Sequence, residues 1–126
     1  MAKLIKSTSD VKPEIMTVYY NEDNIPVYAS INLNIVENEN MYYWDELVLP
    51  DFALENIHNA PNDVKYGVLV AHVIKAYYDD NKMTAILSNY LLDMTDEDHK
   101  KEFDTLQNLR KTAKEVSKYI IANSLF

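Results

Sequence analysis

The stretch MYYWDELVLPDFALENIHNAPNDVKYGVLVAHVIKAYY, residues 41–78, contains a change of period at Pro61. Before that proline, apolar residues alternate with polar ones, as in strands. After it they recur every three to four residues, as in helices, and this period persists to the end of the chain. One short chain therefore carries a β half followed by an α half. The fold class this predicts is α+β: an N-terminal three-stranded antiparallel meander followed by two or three C-terminal helices.

Working back from Met41, three runs read as strands. Glu14–Tyr20 (EIMTVYY) is rich in β-formers. Pro26–Val36 (PVYASINLNIV) places Val27, Ala29, Ile31, Leu33 and Ile35 on one face. Tyr28, Ser30, Asn32 and Asn34 fall on the other. Met41–Leu49 is the third run, and Pro50 ends it. Asn21–Asn24 and Glu37–Asn40 supply turn chemistry between the runs. Residues 1–13 are polar and read as an arm that orders only on contact. Residues 14–49 are then the β part, 50–61 a connector packed through Phe52, Leu54 and Ile57, and 62–126 the helical part of one domain.

Working forward from Pro61, Asn62–Tyr78 reads as a helix capped by Asn62, with Tyr66, Leu69, Val70, Val73, Ile74 and Tyr77 as its apolar stripe. Gly67 is the only glycine and lies inside this helix. Glycine there costs about 1 kcal/mol against alanine, and close approach of another backbone is the return expected for it. Asp79-Asp80-Asn81 caps a second helix, with Met83, Ile86, Leu87, Tyr90 and Leu91 on one face. Thr95–Asp98 caps a third, which runs to about Ile121. Its stripe is Phe103, Leu106, Ala113, Val116 and Ile120. Its acids cluster early and its bases late, which suits the helix dipole.

The chain has 126 residues, no cysteine and a net charge of −8. Disulfides and sulfur-based zinc sites are excluded. No apolar run approaches the length of a membrane span, and MAKLIKSTSD lacks the apolar core of a secretory signal. Three lysines face ten acids in residues 1–61, whereas nine bases face ten acids in 62–126. The β half is the acidic part. Such a field serves solubility, opposes nucleic acid and anionic membranes, and favours a basic protein partner.

No catalytic constellation is visible. His58, His72 and His99 include no pair at i, i+3 or i+4, so no helical metal pair forms. Asp45 and Glu46 are neighbours on one strand and point to opposite faces, so they cannot share a proton. A single glycine excludes a glycine-rich phosphate loop. No enzyme activity, cofactor or metal is expected.

Ten tyrosines are the unusual content. In Tyr42-Tyr43-Trp44, Tyr42 and Trp44 share one face of the strand and Tyr43 takes the other. A two-layer fold covers only one of these faces, so an outward aromatic suits an interface. Tyr42, Tyr43, Trp44, Asp45 and Glu46 are the expected contact residues, with Asp51 extending an acidic rim.

Three segments resemble small accessory proteins encoded in the virion and tail gene modules of tailed phages and prophages of gut bacteria. They are Lys12-Pro13-Glu14 before the strands, YYWDELVLP (42–50), and the helical segments KYGVLVAHVIKAYYDDNKMTAILSNYLLD (65–93) and EFDTLQNLRKTAKEV (102–116). The resemblance implies a non-enzymatic virion-associated or tail/fibre assembly protein working by protein–protein contact. Its partners would be other phage structural proteins or a fibre protein. It would act in the host cytoplasm during assembly and could remain in the virion. Self-association is left open. A rival reading is an acidic decoy that inhibits a host nucleic-acid-binding protein.

Overall fold

A computed structural model describes residues 3–49, 54, 57 and 59–125. Its order is β1 (Lys3–Ser9), β2 (Met16–Tyr20), β3 (Pro26–Asn38), β4 (Met41–Leu49), α1 (Asn62–Tyr77), α2 (Asp80–Leu92) and α3 (Glu97–Ala122). The fold is α+β, but the sheet has four antiparallel strands in the order β1-β4-β3-β2. The meander of β2, β3 and β4 is present. The supposed arm is corrected: residues 3–9 pair with β4 along its whole length, from Lys3 opposite Val48 to Ser9 opposite Tyr42.

The reason lies in long-range partners that a local reading does not see. Leu4 joins the core and Lys6 meets Asp45. Polar Ser7 and Thr8 are tolerable because β1 is an edge strand, where lysine also discourages stray pairing. The strand order is a Greek key run in reverse. Its long connection, Asp10–Ile15, must cross three strand spacings, about 14 Å. Six residues reach about 20 Å. The link is pinned to β3, where the Asn32 amide N–H donates to the Ile15 carbonyl at 2.8 Å and Asn32 Nδ2 to the Glu14 carbonyl at 2.6 Å.

The hairpins follow their turn chemistry. Asn21 Oδ1 accepts from the backbone of Asp23 and Ile25 at 2.9 and 3.0 Å. Glu39 and Asn40 both have positive φ, as a two-residue hairpin with its twist matched to the strands requires.

Regular alternation holds only in the middle of β3. Leu33 pairs with Asp45 and Val36 with Tyr43, so Asn34 and Ile35 together face Trp44. Asn34 has φ 54°, which makes this a bulge of the kind usually opened by glycine. A second irregularity lies between Tyr19 and Tyr20, where Tyr19 pairs with Tyr28 but Tyr20 with Pro26. Val27 and Ile35 therefore do not extend the apolar face as expected. Val27 is exposed and Ile35 is half-buried.

One face of the sheet supplies Met16, Ala29, Ile31, Leu33, Leu47 and Leu49 to the core. Leu54 and Ile57 of the connector join them, with Leu69 and Val73 of α1 and Ala113 and Ile120 of α3. Phe52 and Asp51 lie outside the described residues. The helices begin as their first residues dictate. Asp79 accepts from the Lys82 amide at 2.7 Å and Asp96 from that of His99 at 3.0 Å. Asn62 is not a cap: Pro61 takes that position and makes no side-chain bond. Gly67 is exposed, and no described atom lies within 4 Å of where its Cβ would sit. The close backbone contact expected there is not found among the described residues.

Candidate interaction surface

Strand period two divides the five candidate residues of β4 between two environments. Tyr43 and Asp45 lie on the helix-side face with Leu47 and Leu49. Tyr42, Trp44 and Glu46 lie on the opposite, open face with Val48.

Asp45 is 7% exposed and works inside the fold. Its Oδ2 accepts from the Tyr77 hydroxyl at 2.7 Å and from Asn34 Nδ2 at 3.2 Å, and its Oδ1 from Lys6 Nζ at 2.6 Å. Asn34 Nδ2 also donates to the Tyr77 oxygen at 3.1 Å. The bulge at Asn34 is what turns its amide towards this face. β1, β3, β4 and α1 thus meet at one carboxylate. Burial alone would raise the Asp45 pKa. The hydrogen bonds from Lys6, Tyr77 and Asn34, with the Lys6 charge, outweigh burial and hold it below the ordinary carboxylate range. Burial and the Asp45 bond push the Tyr77 phenol well above its ordinary value, so it remains a donor. The Lys6 side chain is 86% exposed, so water screens its share of the energy. Both Asp45 oxygens are thus engaged within the fold. Tyr43, at 44% exposure beside Val36, lies beyond the helices near the β3–β4 hairpin.

The open face is aromatic, with Glu46 set among the rings and Glu37 opposite Tyr42 near the β3–β4 hairpin. Glu46 accepts from Ser7 Oγ at 3.1 Å and from the Tyr28 hydroxyl at 3.2 Å. Tyr28 stands opposite Tyr19 on β2, their rings 5.4 Å apart and tilted by 51°. Burial, then the Glu46 charge and hydrogen bond, raise the Tyr28 pKa, so this phenol too stays a donor. Trp44 is half-buried, and its indole Nε1 is enclosed with no partner among the described residues. Tyr19, Tyr28 and Ile5 are exposed. The core draws its sheet residues from the other face.

Tyr19, Tyr28, Ile5 and Ser7 were not among the residues expected at the site. Tyr28 was legible from its place on the polar side of β3, and Tyr19 once its register is known. Ile5 and Ser7 required the pairing of β1. Several grooves also mark the surface of the described residues, and two of them involve the elements above. One of about 230 Å³ is lined by Lys6, Asn34, Tyr43, Trp44 and Asp45, among others. The other, about 490 Å³, lies between the start of α1 and the end of α3. Among the described residues, no cluster of three or more His, Asp or Glu could hold a metal, and no helix is long and apolar enough to cross a membrane. His72 is half-buried, and that burial lowers its pKa. His58 lies outside the described residues. No protein-family model, curated protein or solved structure matches the chain.

Proposed function

We propose that this chain is a virion-associated or tail/fibre assembly protein of a tailed phage, acting by protein–protein contact without catalysis. The observation that carries the proposal is the open sheet face of Tyr19, Tyr28, Tyr42 and Trp44 around Glu46. Such rings bury much area on docking at little entropic loss. Exposed aromatic clusters on a free monomer signal a contact surface. The acidic β half favours a partner with basic residues, and Glu46 gives one such residue a charged acceptor among the rings. The segmental resemblance to phage accessory proteins supplies the context: other structural proteins or a fibre protein as partner. The decoy reading draws less support, because the strands of this face present two carboxylates, Glu46 and Glu37, rather than an array spaced like phosphates.

Quantitative mass spectrometry of purified particles tests the proposal. The parent chain is expected at a fixed copy number, or bound to assembly intermediates. The Tyr42→Ser/Trp44→Ser variant is expected to be lost from both while remaining folded. A parent chain found in neither, or a folded variant retained at the parent level, overturns it.

A further inference from the structure

α3 has 26 residues, and eleven of them are Asp, Glu, Lys or Arg. One row along it is different. Thr105, Asn108, Leu109 and Thr112 stand at i, i+3, i+4 and i+7 and so share a face, and none is charged. Thr105 and Asn108 are exposed, and Leu109 and Thr112 are half-buried. Threonine and asparagine are weak helix formers; lysine or glutamate suits an exposed position inside a helix better. The Thr105 hydroxyl turns back to the Lys101 carbonyl at 2.9 Å. The Asn108 amide and the Thr112 hydroxyl have no hydrogen-bond partner among the described residues.

This row lines a groove of about 240 Å³. The rest of the lining is Asn34 at the β3 bulge, with Tyr77 and Tyr78 at the end of α1. The lining holds no acid, no base and no histidine, in a chain of which 25% is charged. Asn34 is held in place by the fold. Its Nδ2 donates to Asp45 and to the Tyr77 oxygen, which leaves its carbonyl end as an acceptor. A second groove, about 320 Å³, adjoins the first and shares Tyr78 and Thr105 with it. Lys82, Lys101 and Glu102 belong to that second lining, and Lys82 Nζ lies 5.6 Å from the centre of the Tyr78 ring. Charge therefore enters only beyond Tyr78.

We infer that the groove between Asn34 and the Asn108–Thr112 row binds a neutral saccharide. A sugar unit presents closely spaced hydroxyls, each both donor and acceptor, around an apolar C–H face. The Asn108 amide and the Thr112 hydroxyl can donate and accept, and Asn34 offers a fixed acceptor. Leu109 and the Tyr78 ring supply apolar surface for the C–H face. An anion would find no cation in this lining. An apolar ligand would leave the amide and hydroxyl groups covered and unpaired. The volume lies below the ~300–1,000 Å³ of sites for drug-sized ligands, which suits one sugar ring, with the next unit in the adjoining groove. This site lies on the helix side of the sheet and does not depend on the role of the open face.

The test is a titration of the isotope-labelled chain, followed by NMR at its asparagine side-chain amides. The probes are the neutral trisaccharides maltotriose, cellotriose and triacetylchitotriose. At least one should shift the Asn108 side-chain signals, with a Kd of about 1 mM or tighter. Added salt should leave that affinity unchanged, because no charge pair forms. Asn108→Ala/Thr112→Val should weaken binding more than about tenfold by removing two hydrogen-bonding groups. Neither residue belongs to the buried core, so the rest of the spectrum should report an intact fold. No shift with any of the three sugars at about 10 mM overturns the proposal. So does an affinity that falls steeply with salt, or a variant that binds as the parent does. A peptide of alternating glycine and serine that shifts the same signals as strongly also overturns it, since the groove would then be reading peptide amides.

Discussion

The two faces of β4 are made from one nine-residue strand, yet they have opposite fates. Tyr43, Asp45, Leu47 and Leu49 look towards the helices; Leu47 and Leu49 are wholly buried, and Asp45 ties four elements together. Tyr42, Trp44, Glu46 and Val48 look away, and all four are only half-buried. Composition does not explain the difference, since each face carries an aromatic and a carboxylate. What differs is the set of partners. Asp45 receives a phenol from α1 and an amide turned by the Asn34 bulge, whereas Glu46, among the described residues, receives Ser7 and Tyr28 from its own sheet. Acidic residues one position apart thus meet different surroundings: Asp45 is buried among groups from four elements, and Glu46 stands half-buried among the rings of the open face.

Substitutions on the two faces should separate these roles. The largest effect is expected at Leu47, fully buried in the core. Leu47→Ala should lower unfolding free energy by ~2–5 kcal/mol in urea titrations.

Next comes Asp45→Ala, which strands the Tyr77 hydroxyl and the Asn34 amide. It should cost ~1–3 kcal/mol, the usual penalty for buried polar groups left unpaired. Its pH signature follows from the lowered pKa of the folded state. A depressed carboxyl pKa contributes stability that is present above the unfolded value, about 3.9. That stability is lost as pH falls through the folded value. The parent should therefore weaken on the acid side of pH 4, and Asp45→Asn should flatten that part of the profile. An unchanged acid limb in Asp45→Asn would show that the network carries no linkage.

Smaller still, Tyr42→Ser/Trp44→Ser on the open face should cost about 1 kcal/mol or less, a surface-like value. The smallest effect reverses sign: Gly67→Ala in the exposed face of α1 should stabilise by ~0.5–1 kcal/mol, since no described neighbour opposes a methyl there. A loss of stability at Gly67 would mean that an unseen contact needs the glycine.

How far the sequence could be read depends on whether each signal was local. Alternation in Ala29–Leu33 and Met41–Leu49 places the core face, because period two is a property of neighbouring residues. The acidic caps at Asp79 and Asp96 are equally local. β1 was missed because KLIKSTS is nearly polar, and its reasons for pairing, Leu4 in the core and Lys6 on Asp45, sit about forty residues away. The Asn34 bulge was missed because asparagine tolerates positive φ without demanding it. Tyr77 was read as an apolar stripe residue, correctly for its ring, but its hydroxyl goes to Asp45. The five expected contact residues therefore separate: Tyr42, Trp44 and Glu46 lie on the open face, whereas Asp45 turns inward and Tyr43 stands apart.

The claim that one face of β4 folds the protein while the other meets a partner is tested most directly on the Tyr42→Ser/Trp44→Ser chain. Its thermal midpoint and its copy number in purified particles should be measured beside those of the parent. The account predicts a midpoint within about 3–5 °C of the parent and no chain in the particles. A midpoint that falls as far as that of Leu47→Ala, or a folded variant incorporated at the parent level, would contradict it.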